Sequence, residues 1–91
     1  MKKVIWKFGL ETTDKQIVKM PKGAEILTVQ EQFDTPCIWA LCDPKAEQEE
    51  RHIEIFGTGH DVHYDMGVER KYIGTYQQLK GRLVFHVFER L

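Results

Sequence analysis

The chain contains no serine, which excludes a Ser-His-Asp hydrolytic triad outright. Cysteine is scarce too. Cys37 and Cys42 are the two thiols, five residues apart in one apolar run. As a continuous strand, that run separates them by about 16 Å and turns their side chains to opposite faces. A disulfide needs Cα atoms within about 7 Å, so the two do not pair with each other and read as small buried hydrophobes. An intersubunit bridge or a reactive thiol is the competing reading. No apolar run approaches the roughly 20 residues of a membrane-spanning helix. Met1-Lys2-Lys3-Val4-Ile5-Trp6-Lys7 has no apolar signal-peptide core. The expectation is a cytoplasmic protein with no membrane partner. Excess charge is also missing: 13 Lys and Arg against 14 Asp and Glu leave a net charge of −1. Non-specific nucleic-acid binding needs clustered cations, so that partner is not expected.

What is present is strand. Ninety-one residues make one domain, 1–91, which buries about 60–65% of the surface its unfolded chain exposes. Such a core is thin, and a homo-oligomer would enlarge it. Apolar residues alternate over 3–10, with Val4, Trp6, Phe8 and Leu10 on one side. A second short strand at 16–20 is expected to fold back on the first as a hairpin. Met20-Pro21-Lys22-Gly23-Ala24 is turn chemistry. Strands follow at 25–33 and 37–42, and the second is apolar on both faces, which places it centrally. Residues 43–51 suit either a short helical turn or a solvated acidic loop. Further strands are predicted at 52–56, 71–77 and 82–90, the last again apolar on both faces. Tyr72, Gly74 and Tyr76 are expected to share one side. About seven strands with closely spaced turns predict an all-β fold, a small antiparallel β-sandwich or barrel.

One stretch is neither strand nor simple turn. Phe56-Gly57-Thr58-Gly59-His60-Asp61-Val62-His63-Tyr64-Asp65 concentrates glycine, histidine and carboxylate between two strands. Continued to about Arg70, it is long for a connection in a small domain, and such segments are usually functional or mobile. Gly57-Thr58-Gly59 suits a backbone nest whose successive N–H groups face an anion; the competing reading is a sharp turn out of a strand. It is neither a Walker A loop nor a dinucleotide fingerprint, because the Gly-Lys-Ser/Thr ending and the third glycine are missing. Arg70 and Lys71 close the same loop and would neutralise a phosphate or carboxylate; alone, they are solvated surface charges. Tyr64 is placed to stack on a ligand ring, whereas the other aromatics read as core. His60 and His63 would hydrogen-bond a ligand. They also begin a divalent-metal set. Completing that set needs Asp65, Glu69, His52 or His86 to be brought in by the fold, so neither a metal nor another cofactor is expected. A catalyst using His60 as general base is the weaker reading.

Five segments carry a resemblance. They are Ile5-Trp6-Lys7-Phe8, Met20-Pro21-Lys22-Gly23-Ala24, Pro36-Cys37-Ile38-Trp39-Ala40-Leu41, Gly57-Thr58-Gly59-His60 and Leu83-Val84-Phe85-His86-Val87-Phe88-Glu89. Together they resemble a family of small, functionally uncharacterised proteins of tailed phages and prophages, over nearly the whole chain. The resemblance implies an accessory protein made in the cytoplasm of a host bacterium. It supplies no catalytic residues, and Cys42 departs from its more aliphatic pattern. Loop chemistry and resemblance together lead to a non-catalytic binding protein that sequesters a small anionic, nucleotide-type ligand, a counter-defence role. Its ligand-binding residues would be Gly57, Thr58, Gly59, His60, His63, Tyr64, Arg70 and Lys71. Two alternatives stand beside it. One is a protein-interaction module that inhibits a host protein. The other is a metal-dependent hydrolase built on His60, His63 and Asp65.

Overall fold

A computed structural model describes residues 2–62 and 67–91. The described residues form seven strands: β1 (Val4–Gly9), β2 (Lys15–Pro21), β3 (Glu25–Gln32), β4 (Thr35–Cys42), β5 (Gln48–Gly57), β6 (Arg70–Gln78) and β7 (Leu83–Arg90). All pairings are antiparallel. The strands make a three-stranded sheet, β1-β4-β3, and a four-stranded sheet, β2-β5-β7-β6. The two sheets pack on each other, and each keeps two free edges, so the fold is an open sandwich rather than a closed barrel. Among the described residues no helix is long and apolar enough to cross a membrane.

The strands that are apolar on both faces, β4 and the β7 segment, sit between neighbours as expected. The inner side of the small sheet carries Phe8, Val29, Ile38, Ala40 and Cys42. It meets Val18, Met20, Ile53, Ile55, Tyr76 and Val87 of the large sheet. Gly74 permits a close approach between the sheets. A Cβ there would stand 2.9 Å from Cγ1 of Val29, inside van der Waals contact. Cys37 and Cys42 are both buried and free, as their opposed directions require.

Three expectations need correction. First, β1 and β2 do not form a hairpin: β1 pairs with β4, and β2 pairs with β5. The connection crosses between the sheets and is tied to both. The Leu10 amide donates to Pro36 O at 2.8 Å, and the Ile55 amide donates to Asp14 O at 3.0 Å. Leu10 itself buries in the core. Alternation defines a strand but not its partner, and here the gain from burying Leu10 between layers decides. Second, residues 43–47 are a tight turn, not a helical turn or a long acidic loop. Asp43 accepts from the Lys45 amide through its side chain at 3.0 Å and from the Ala46 amide through its carbonyl at 3.1 Å. β5 therefore begins at Gln48. Third, Tyr72 does not share a side with Gly74 and Tyr76. A β-bulge at Ile73 inserts one residue, so Tyr72 pairs with Phe88 while Gly74 pairs with Val87. One extra residue reverses the alternation.

A charged pair is built into the inner side of the large sheet. The Arg51 guanidinium pairs with Glu89 through Nε and Nη2, the latter at 2.9 Å, and Nη1 donates to Ala24 O at 2.8 Å. The Glu89 carboxylate raises the Arg51 pKa above its ordinary value. Burial does the same for the Cys42 thiol and the Tyr76 phenol.

Candidate functional site

The outer side of the large sheet is laid out by strand register. Paired residues on antiparallel neighbours share a face. His52, Arg90 and Arg70 form one row; Glu54, Phe88 and Tyr72 form the next; Phe56, His86 and Thr75 form the third. All nine point away from the core. The described start of the β5–β6 connection, as far as Val62, lies against this face, so that part of the sequence stretch singled out for chemistry is a cover over a sheet rather than a free loop at its end.

The cover begins with a tight turn. The His60 amide donates to Gly57 O at 3.0 Å, and Gly59 has φ +87°, the value a type II turn demands at its third position. Gly57 is glycine for a second reason. A Cβ at that position would stand 2.7 Å from Nδ1 of His60, so the imidazole occupies the space the missing side chain leaves. The Thr58 amide donates to Val84 O at 3.1 Å. The amides of Thr58 and His60 are thus engaged by the protein itself.

His86 links the cover to the sheet. Its Nε2 shares a 2.7 Å hydrogen bond with Thr58 Oγ1, and its Nδ1 shares one of 3.0 Å with Thr75 Oγ1. Tyr72 Oη bonds the same Thr75 hydroxyl. A hydroxyl beside an oriented imidazole is the contact of a nucleophile with its base. The Thr58 amide, one natural donor to an oxyanion, is already committed to Val84.

Aromatic rings floor the site. Phe88 packs edge-on against Phe56 and Tyr72, with centroids 5.8 and 5.3 Å apart. The Arg70 guanidinium lies 5.7 Å from the centre of the Phe56 ring. Its Nε pairs with Glu54 Oε1 at 2.7 Å, and the two side chains are only 10% and 4% exposed. Arg70 therefore balances a buried carboxylate. Lys71 stands in register with Glu89 and belongs to the opposite face, because neighbouring strand residues alternate.

Two cavities meet here. One, of about 260 Å³, is lined by Gly57, Thr58, Gly59, His60, Val62 and the rings of Phe56, Tyr72, His86 and Phe88. The other, of about 350 Å³, holds Lys15, Arg70 and Arg90 together with Asp14, Glu54 and Asp61. Phe56 and His60 line both.

Of the residues expected to bind a ligand, the fold brings Gly57, Thr58, Gly59, His60 and Arg70 to one face and takes Lys71 away. His63 and Tyr64, with Asp65 of the metal alternative, lie outside the described residues. Among the described residues no three His, Cys, Asp or Glu side chains assemble as a metal set. The residues that sequence reasoning left in the core or unassigned are Phe56, Tyr72, Thr75 and Phe88. Their signal was a second apolar face on strands already assigned one.

A family model described as a domain of unknown function (DUF7352) matches residues 1–91. No curated protein and no solved structure matches the chain.

Proposed function

We propose a function for this chain, which belongs to the DUF7352 family, as a non-catalytic protein that binds a small ring-bearing ligand on the outer side of its four-stranded sheet. The observation that carries this reading is the pair of cavities joined at Phe56 and His60. One offers aromatic surfaces for a flat ring, with the Thr58, His60 and His86 side chains at its rim. The other offers charge.

The charge limits the ligand. Lys15, Arg70 and Arg90 face Asp14, Glu54 and Asp61, and Arg70 is held by Glu54. Such a balance disfavours a polyphosphate, whose several negative charges need an excess of cations. It suits a nucleotide with about one negative charge, such as a cyclic mononucleotide. In the phage setting that the resemblance implies, a protein of this kind acts by sequestering the nucleotide from a host defence.

The test is a thermal-shift comparison of the purified chain with nucleosides, mononucleotides, cyclic nucleotides and triphosphates. A ligand at one hundred times its dissociation constant stabilises by about 2.7 kcal/mol, which in a domain of this size is roughly 10 °C or more. The expected result is a shift with a singly charged nucleotide that is lost in His86→Ala and Gly59→Pro. No shift across the panel, or one that survives both substitutions, overturns the assignment.

A further inference from the structure

The small sheet also has an outer side, and its register is equally explicit. Ile5, Leu41 and Glu25 form one row, Lys7, Trp39 and Thr28 the next, and Gly9, Cys37 and Gln30 the third. A β-bulge adds Leu27 between the first two rows on β3. Ile5 and Leu27 remain 59% and 45% exposed. Trp39 and Leu41 between them are only half-buried. A contiguous apolar surface on a small chain marks an interaction site.

We propose that this face is the interface of a two-fold homodimer in which β1 of one protomer lies over β3 of its partner. Charge selects both the occupant and the symmetry axis. Lys7 on β1 and Glu25 on β3 carry opposite charges at the two edges of the face. Within one chain the Lys7 ammonium donates across β4 to the neutral Gln32 Oε1 at 2.5 Å, an acceptor it exchanges for the partner's carboxylate, which binds a cation more strongly. A two-fold interface must be complementary to itself. An axis parallel to the strands places each β1 edge over the partner's β3 edge. Lys7 then stands one row along from the partner's Glu25, about 7 Å and within reach of a lysine side chain. Ile5 meets the partner's Leu27, and Trp39 and Leu41 lie near the axis. An axis across the strands would instead set Lys7 over the partner's β1, cation on cation.

Size supports a modest dimer. Three strands of up to eight residues present roughly 14 by 26 Å in plan. Two such faces bury on the order of 1,000 Å², near the lower bound for a specific interface. The dimer is therefore concentration-dependent.

Sedimentation of the full chain over a dilution series tests this. The wild type is expected to pass from dimer to monomer on dilution. Ile5→Glu should raise the dissociation constant at least about tenfold, as expected for placing a charge in an apolar contact of the interface. Lys7→Glu alone and Glu25→Lys alone should also weaken self-association, each by placing like charges opposite one another. An equimolar mixture of these two variants should recover the dimer, because each then supplies what the other lacks. Both alter surface side chains, so the mixture is informative even if Ile5→Glu misfolds. A wild type that stays monomeric at several hundred micromolar overturns the proposal. So does a dimer indifferent to all three substitutions, or a mixture no more associated than its components.

Discussion

The two outer faces of this sandwich solve the same problem differently. A sheet in a two-layer fold buries one side against its neighbour and must do something with the other. The four-stranded sheet has part of its own chain, Gly57 to Val62, against its outer side. On that side Phe56 and Phe88 pack edge-on, His86 is hydrogen-bonded, and Arg70 and Glu54 form a buried ion pair, while Tyr72 stays 54% exposed. The three-stranded sheet leaves Ile5 and Leu27 in solvent. The lesson is that apolar content alone does not reveal use. Phe88 and Ile5 are both outward-facing hydrophobes, but Phe88 packs between Phe56 and Tyr72 whereas Ile5 remains 59% exposed. What separates them is whether other side chains of the same sheet pack over them.

The sharpest way to break this comparison is to remove one carboxylate from each face. Glu54→Ala leaves the Arg70 guanidinium without that partner at a position only 10% exposed. Breaking a buried pair from one side costs about 3–5 kcal/mol, a large part of the roughly 5–15 kcal/mol that holds a domain together. Glu25→Ala removes an exposed side chain and should fall within about 0.5 kcal/mol of wild type. Urea unfolding of the monomer at low concentration measures both. Equal costs would mean that the two faces are not differently built.

A smaller effect tests the cover itself. In Gly57→Ala the added Cβ meets the His60 ring, so the imidazole must turn out of its place over the strand. His60 is exposed and the atoms in the way end its side chain, so this displacement costs about 1 kcal/mol or less. The same variant should lose the nucleotide-dependent thermal shift, while self-association through the other sheet is unchanged. If dimerisation and ligand response fall together, the two faces are coupled and the separation drawn between them fails.

How much of this was legible in the sequence follows from the range of each interaction. The strands were readable because alternation is local. β4 was placed centrally because both its faces are apolar, and that too is visible within eight residues. The pairing of β1 with β4 was not, since it depends on Leu10 finding a place between layers. Arg70 and Lys71 read as a pair of cations closing a loop. Only the register with β7 shows that they point apart and that Arg70 meets Glu54, sixteen residues earlier. The bulge at Ile73 sent Tyr72 to the outer side, and no local pattern announces a bulge. Gly57-Thr58-Gly59 was correctly marked as special, but its chemistry is divided between a turn and a space for His60.

The hairpin tips extend the comparison with a gain rather than a loss. In the small sheet, Phe33 and Asp34 link β3 to β4 with φ of 51° and 63°. Two positive values define a type I′ turn, which favours Asn and Gly. Phe33 is 94% exposed, so it contributes little packing to offset that conformation. Phe33→Asn should stabilise the chain by about 0.5–1 kcal/mol, in proportion to the relief of its left-handed backbone. In the large sheet Leu79 and Lys80 are held at φ 51° and 56°, and Leu79→Asn should gain similarly. If Phe33→Asn instead lowers stability at high protein concentration only, the Phe33 ring takes part in self-association.

The inner faces respond to alkali, and here the expected effect is the smallest. Cys42 on β4 and Tyr76 on β6 have pKa values raised by burial above 9.0 and 10.0 respectively. A group whose folded pKa is raised holds its proton more tightly when folded. Its stabilising contribution is complete below the unfolded pKa and is lost as pH rises through the folded value. Stability should therefore be level to about pH 8 and decline from pH 9 upward, first through the thiol and then through the phenol. Cys42→Ala isolates the first step: it should lower stability at neutral pH by opening a small cavity, yet flatten the decline between pH 9 and 10. A decline of unchanged slope in that variant would assign the alkaline loss to other groups.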